Sequence, residues 1–268
     1  MPYSNEIVKR NNVTITGSGE KTLLLAHGFG CDQNMWRLML PALIPHYRIV
    51  LFDYVGSGNS DVSYYDQDRY SSLEGYAQDI LDICQALDLE DVVLVGHSVS
   101  SMIGLIASIQ QPSIFSRLIM VCPSPCFLNF KPDYYGGFEQ SDLEELLDLM
   151  DKNYIGWANY LAPLVIGSGS SEDFVAELSG SFCSTDPVIA KTFAKATFFS
   201  DYRNLLRKAK HPVLIFQSSQ DSLASTIIGD FMMEQLPEAE LKLVEAKGHC
   251  LHMTHPDIVN QCLREYIA

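Results

Sequence analysis

The sequence predicts an α/β protein in which a mostly parallel sheet is flanked by helices and interrupted by a helical insertion. Short apolar runs rich in β-branched residues alternate with longer amphipathic stretches, as expected of strands and crossover helices. This alternation stops after Val121 and returns only near Pro212. With 268 residues, 47% of them hydrophobic, the chain can bury one substantial core.

The individual elements follow from the spacing of apolar residues. The predicted strands are 22–26, 48–52, 92–95, 118–121, 213–217 and 241–244. The predicted helices of the sheet layer are 73–87 and 102–109, and those of the insertion are 142–150, 154–164, 172–178 and 187–199. We therefore expect a core domain of residues 1–126 and 201–268, with residues 127–200 inserted as a lid of four helices.

Charge and cysteine usage narrow the class of protein. A formal net charge of −15 repels phosphate backbones and anionic lipid heads, which argues against nucleic-acid and membrane-surface partners. Seven cysteines are an odd number for a disulfide framework, and a chain of this size does not need one. The first residues lack the apolar core of a signal peptide. These features predict a cytoplasmic protein with reduced thiols.

The stretch VGHSVSS, residues 95–101, joins a predicted strand to a predicted helix. This context is typical of a nucleophile elbow, whose strained turn requires small residues two before and two after the serine. Gly96 and Ser100 meet that requirement around Ser98, although serine replaces the usual second glycine, and we interpret Ser100 as a tolerated small residue. The alternative is that Ser98 only caps the helix.

A nucleophilic serine needs a base and a carboxylate that orients the base, in the chain order Ser, Asp or Glu, His. Asp221 follows the predicted strand 213–217, and His249 follows the predicted strand 241–244. Both loops lie at the carboxyl edge of a parallel sheet, beside the elbow. Either residue alone would be interpreted as a solvated loop position, but together with Ser98 they predict a catalytic triad.

An acyl-transfer serine also needs donors for the developing oxyanion. The stretch AHGFG, residues 26–30, follows the first predicted strand, and its glycines allow the Phe29 amide to face the elbow. The Val99 amide would be the second donor. The alternative interpretation of AHGFG is a plain glycine turn.

Three other clusters are interpreted as structural. His249, His252 and His255 recur every third residue like metal ligands, but the triad uses the first of them and Pro256 follows the last. The thiols of Cys122 and Cys126 have no partner pair. The glycines of residues 53–61 lack the spacing of a dinucleotide site. We therefore predict neither a metal nor a cofactor.

Several strings resemble those of a known family over most of the chain. They are FDYVGSG, GYAQDILDICQALDL, GHSVSSMIG, SPCFLN, YYGGFE, NYIGWA and FCSTDPVIA. They resemble the α/β-hydrolase superfamily, in particular its RsbQ-type stress regulators from bacilli and the related plant karrikin and strigolactone receptors. The segment FCSTDPVIAK is more similar to the bacterial regulators, whereas HGFG and GHSVS are more similar to the receptors.

The resemblance implies a lid of four helices over a mostly apolar pocket. The residues that it implies as pocket lining are Phe29, Phe127, Phe138, Trp157, Tyr160 and Phe198, with Val99 beside them. The alternative for each aromatic residue is ordinary packing of the lid. Such a chamber would select a small, uncharged, hydrophobic ester or lactone.

The resemblance also implies a biological role. An RsbQ-type protein would take part in energy-stress signalling with a PAS-domain serine phosphatase as its partner. The alternatives are a receptor-like ligand sensor with slow turnover and a metabolic carboxylesterase. A cofactor-free haloperoxidase or a C–C bond hydrolase would use much the same triad, whereas dehalogenases and epoxide hydrolases carry aspartate at the position of Ser98.

Overall fold

The protein forms one seven-stranded sheet within residues 2–268, which the computed structural model describes. Its strands are β1 (Thr14–Thr16), β2 (Thr22–Ala26), β3 (Arg48–Leu51), β4 (Val92–His97), β5 (Phe115–Val121), β6 (Val213–Gln220) and β7 (Ala239–Lys247). They lie in the order β1-β3-β2-β4-β5-β6-β7, and every pair is parallel except β1 with β3. The predicted mostly parallel sheet is confirmed.

Helices cover both faces of this sheet and form the insertion. The helices of the sheet layers are α1 (Pro2–Arg10), α2 (Leu40–Leu43), α3 (Leu73–Ala86), α4 (Val99–Gln110), α9 (Thr226–Gln235), α10 (Leu251–Thr254) and α11 (Pro256–Ile267). The helices between β5 and β6 are α5 (Gln140–Lys152), α6 (Tyr154–Ile166), α7 (Glu172–Ser184) and α8 (Pro187–Phe198). Within residues 2–268, every helix is too short or too polar to span a lipid bilayer.

The segment of residues 127–200, here called the helical insert, leaves and rejoins the sheet at one place. Cys126 forms an antiparallel bridge with Asp201, and the Tyr202 amide donates to the Pro125 carbonyl at 2.8 Å. The chain entering the insert is thus paired with the chain leaving it.

The inner strands carry the core on both faces. Residues 23–26 of β2 are fully buried, and alternate side chains contribute to two apolar clusters on opposite sides of the sheet. Because β4, β6 and β7 run parallel, their carboxyl ends at His97, Gln220 and Lys247 point to the same edge. The loops that leave this edge carry Ser98, Asp221 and His249.

Strand β1 and helix α1 near the amino terminus are absent from the sequence prediction, as are the helices α2, α9, α10 and α11. Strand β1 has three residues, and its apolar Ile15 is 45% exposed at the sheet edge, so no buried run marks it. Helix α1 is held by a polar contact: the buried Arg10 pairs with Asp79 at 3.3 Å and Asp82 at 2.9 Å. Such pairing is invisible to a search for hydrophobic periodicity.

The loop of residues 53–61 is organised by a buried carboxylate. Asp53 accepts hydrogen bonds from the amides of Gln33 and Asn59, both at 2.9 Å, and from the Asn12 side chain at 2.8 Å. This loop therefore has an internal structural role.

Candidate active site

Ser98 occupies the sharp turn between β4 and α4. Its backbone lies at φ 55° and ψ −122°, a region that costs a non-glycine residue about 1 to 3 kcal/mol. The turn is compact: a Cβ at Gly96 would lie 2.5 Å from the Ser100 carbonyl oxygen, so only glycine fits there. The Ser98 amide donates to the Val121 carbonyl of β5 at 2.8 Å. This hydrogen bond to the sheet holds the strained residue in place.

The structure brings Ser98, His249 and Asp221 into one hydrogen-bonded chain. His249 Nε2 lies 2.7 Å from Ser98 Oγ, and His249 Nδ1 lies 2.7 Å from Asp221 Oδ2. The His249 side chain is 2% exposed and that of Asp221 is fully buried. A buried carboxylate on Nδ1 favours the proton on that nitrogen, which leaves Nε2 free to accept the serine proton.

Asp221 is held in its ionised form. Burial alone would raise the pKa of this carboxyl, but the neighbouring His249 and the hydrogen bonds lower the pKa below its ordinary value. Besides His249, the amides of Leu223 and Ala224 donate to its Oδ1 at 2.8 and 3.1 Å. Both oxygens of the carboxylate are therefore used, which fixes its orientation.

Two backbone amides are free to face a reacting carbonyl. Val99 is the first residue of α4, where amides have no partner inside the helix. Within residues 2–268, neither the Val99 nor the Phe29 amide donates to a protein acceptor. The Phe29 loop passes close to the elbow, since a Cβ at Gly28 would lie only 2.4 Å from His97 Nδ1.

A small chamber of about 30 Å³ lies over Ser98 and is enclosed mainly by apolar side chains. Its lining residues are Phe29, Cys31, His97, Ser98, Phe127, Leu161, Val165, Leu178, Phe182, Thr197, Phe198, Leu223, His249 and Cys250. This volume holds about one water molecule. A larger cleft of about 540 Å³ adjoins it and shares the walls Leu161, Phe198 and Leu223.

The predicted aromatic pocket residues lie in the chamber, in the outer cleft or behind the chamber wall. Phe29, Phe127 and Phe198 line the chamber. Phe138 and Tyr160 line the outer cleft instead, and Tyr160 is 59% exposed. Trp157 is buried behind the chamber wall, with its ring 6.0 Å from that of Phe29. An aromatic residue in a helix is visible in the sequence, but the helix face that it occupies relative to Ser98 is not.

The sequence prediction missed several chamber residues, of which Phe182 is the largest. Its ring packs against Gly30, where φ is +68° and a Cβ would lie 2.2 Å from Phe182 Cδ1. Leu161, Leu178 and Thr197 complete the wall from the insert. They carry no motif, so the sequence offers no local signal for them.

Two groups of possible metal ligands lie close to the triad. The ligand atoms of His97, Cys250 and His252 lie within 4.8 Å of one another, as do those of Cys122, Asp221 and His249. Two members of the second group, Asp221 and His249, already belong to the hydrogen-bonded chain with Ser98. In the first, His97 Nε2 contacts the His249 carbonyl at 2.9 Å, and burial raises the pKa of the Cys250 thiol far above its ordinary value. Both groups are therefore interpreted as parts of the core. The third histidine of the predicted spacing, His255, contacts Thr254 Oγ1 at 2.9 Å.

The fold and the arrangement at this sheet edge are those of an α/β hydrolase. The family described as having the alpha/beta hydrolase fold matches residues 21–256, and the chain belongs to this family. It is 39% identical to the karrikin insensitive 2 receptor CA of Petunia hybrida and 36% identical to the strigolactone esterase D14 of Arabidopsis thaliana, over 97% of each chain in both cases. The solved structure of a hydrolase from Oleispira antarctica is 60% identical, with a TM-score of 0.97 over 98% of this chain and 97% of that one.

Proposed function

We propose that the protein is a serine hydrolase that cleaves a small hydrophobic ester or lactone, with Ser98 as nucleophile. The observation that carries this proposal is the continuous chain from Ser98 Oγ through His249 to Asp221, with both contacts at 2.7 Å. Nucleophile and base within hydrogen-bond reach, with the base held by a third group, are the requirements for acyl transfer. Membership of a hydrolase family agrees with this chemistry.

The reaction would proceed in two halves. His249 Nε2 takes the proton of Ser98 Oγ while this oxygen attacks the carbonyl carbon, and the resulting oxyanion is held by the Phe29 and Val99 amides. The protonated His249 gives its proton to the leaving alcohol as the C–O bond breaks. A water molecule then repeats the sequence and releases the acid.

The walls of the chamber favour a small uncharged acyl group. Drug-sized ligands occupy pockets of roughly 300 Å³ or more, whereas the chamber holds about 30 Å³. In this proposal the helical insert acts as a lid that moves to admit a ligand to Ser98. The outer cleft is the proposed route of entry because it shares the walls Leu161, Phe198 and Leu223 with the chamber.

Turnover of p-nitrophenyl acetate tests the proposed chemistry. We expect Ser98→Ala to reduce kcat by about 10⁴-fold or more, and we expect intact-mass spectrometry to find an acetyl adduct on the wild type only. Ser108→Ala is the matched control because Ser108 is a buried serine of α4 whose hydroxyl donates only to the Leu105 carbonyl. A folded Ser98→Ala protein with wild-type turnover would refute the proposal.

In the proposed biological role, the protein takes part in signalling through its hydrolase activity. The resemblance to RsbQ suggests that the protein supplies or presents a small apolar molecule to a PAS-domain serine phosphatase in the response to energy stress. The relatives named as receptors favour the alternative of a ligand sensor with slow turnover. Those named as esterases favour a metabolic carboxylesterase.

Turnover, hydrogen exchange and phosphatase binding separate these roles. Slow turnover together with ligand-dependent hydrogen exchange in residues 140–198 is expected of a sensor. Ligand-dependent binding to a PAS-domain phosphatase encoded in the same genome is expected of the RsbQ-type role. Fast turnover without either effect would leave the metabolic esterase as the function.

A further inference from the structure

Ser100 connects the two parts of the active site through its hydroxyl. It lies two residues after Ser98 in α4 and is fully buried. Its Oγ is 2.5 Å from the carbonyl oxygen of His27, the residue that precedes the oxyanion loop, and 2.9 Å from Tyr54 Oη. The sequence interpretation of Ser100 as a tolerated small residue gives no role to this hydroxyl.

The direction of each hydrogen bond in this cluster is determined. A carbonyl oxygen can only accept, so the Ser100 hydroxyl donates to His27 and the Tyr54 hydroxyl donates to Ser100. The Tyr54 amide donates to His27 Nε2 at 3.2 Å, so the proton of this imidazole is on Nδ1. His27 Nδ1 then donates to the Gly28 carbonyl at 2.9 Å. Burial lowers the pKa of His27, in agreement with a neutral ring.

These bonds fix the peptide that carries the Phe29 amide. The Gly28 carbonyl and the Phe29 N–H belong to one planar trans peptide and point in opposite directions. The His27 ring and the Cys31 amide, the latter at 3.3 Å, both donate to this carbonyl, and together they set the direction of the N–H. The bond from Ser100 to the His27 carbonyl ties the preceding peptide to α4, the helix that begins directly after Ser98.

We propose that Ser100 is a positioning residue whose hydroxyl, oriented by Tyr54, holds the Phe29 amide at a fixed place relative to Ser98 Oγ. The proposal rests on the proposed function, in which this amide stabilises the oxyanion. A serine at this position replaces the usual glycine of the elbow because it supplies a hydrogen bond between the nucleophile turn and the oxyanion loop.

The test is the Ser100→Ala variant, which removes the hydroxyl and keeps the Cβ, with Ser108→Ala as control. We expect kcat for p-nitrophenyl acetate to fall about tenfold while KM stays within twofold, because small displacements of a catalytic group act on the transition state. Affinity for an alkyl trifluoromethyl ketone, whose adduct with Ser98 carries an oxyanion, should fall by the same factor. Ser108→Ala should change neither quantity, even where it lowers the melting temperature as much.

The Tyr54→Phe variant gives a second test that leaves Ser100 in place. We expect a fall in kcat of about threefold, and no further fall when it is combined with Ser100→Ala, because both changes act on one chain of bonds. The proposal is overturned if Ser100→Ala and Tyr54→Phe both keep kcat and ketone affinity within twofold of the wild type. If Ser98→Ala also keeps its turnover, the proposed function fails with it. If Ser98→Ala is inactive, only the positioning role fails.

Discussion

The loops at the carboxyl edge of the sheet and the helical insert above them bury different kinds of surface. At the sheet edge the buried groups are polar, and Ser98, His249 and Asp221 are joined at 2.7 Å. The insert contributes apolar walls such as Leu161 and Leu178, while its outer faces expose Ile155 at 65% and Val188 at 64%. Directional bonds fix atoms within tenths of an ångström, whereas apolar contacts have no preferred direction. In the proposed function, the chemistry therefore depends on the sheet edge, and the choice of ligand depends on the insert.

The largest effect should come from breaking the polar chain at Asp221. An Asp221→Asn side chain would donate a proton to His249 Nδ1, which places the imidazole proton on Nε2 and prevents this atom from accepting from Ser98. We expect kcat to fall about 10⁴-fold with little change in KM. Steady-state kinetics with p-nitrophenyl acetate measures this, and a loss of less than tenfold in a folded protein would contradict the assigned role.

A smaller loss is expected at the oxyanion loop. Phe29→Pro removes the backbone donor, and we expect kcat to fall about 10²- to 10³-fold. Phe29→Leu keeps the amide while it removes the ring that lines the chamber. If Leu and Pro reduce kcat equally, the aromatic ring is responsible and the amide is not.

Acid should destabilise the folded protein, because histidines near the carboxyl edge of the sheet are buried and neutral. Burial lowers the pKa of His97 to about 3, and it lowers the pKa of His252 as well. Below about pH 6.5 the unfolded chain binds more protons at these residues than the folded one, for His97 down to about pH 3, so stability falls as the pH drops below about 6.5. We expect the free energy of unfolding to fall by up to about 1.4 kcal/mol per pH unit for each histidine.

Urea titrations from pH 7.5 to 5 measure this dependence. His252→Leu should reduce the slope below pH 6.5, because neither ring nitrogen of His252 has a partner within the described part of the chain. Ser108→Ala should leave it unchanged, since this substitution removes no titratable group. Equal stability at pH 7 and pH 5 in the wild type would contradict the prediction.

The smallest effect should be on substrate choice, and it should come from the insert. Leu161→Ala enlarges the chamber and opens it to the outer cleft, so we expect the ratio of kcat/KM for p-nitrophenyl butyrate over acetate to rise about tenfold. Leu164→Ala is the control because Leu164 lines only the cleft. If Leu161→Ala instead disturbed the geometry of Ser98, His249 and Asp221, kcat/KM would fall for both esters and the ratio would stay the same.

The sheet is more accessible to sequence reasoning than the space above it. Parallel strands are buried on both faces and form continuous apolar runs, so the sequence pattern alone predicts that Ser98, Asp221 and His249 follow strands. Tyr160 and Phe182 both lie in insert helices, yet only Phe182 faces the chamber. The sequence does not distinguish them, because the periodicity of a helix does not determine the angle at which it packs. For Ser100 the sequence indicates only a small residue, since its partners at residues 27 and 54 are distant along the chain.

The bridge between Cys126 and Asp201 marks the place at which the whole insert can be exchanged for another segment. Because the insert starts and ends at neighbouring residues, a different segment with the same end-to-end distance could be spliced between β5 and β6 without moving a strand of the sheet. If the insert determines the ligand as proposed, recombination between genes at these two positions would transfer the ligand preference and leave Ser98 in the core domain. A chimera that carries residues 127–200 of a relative should therefore fold and acquire the ligand preference of the donor.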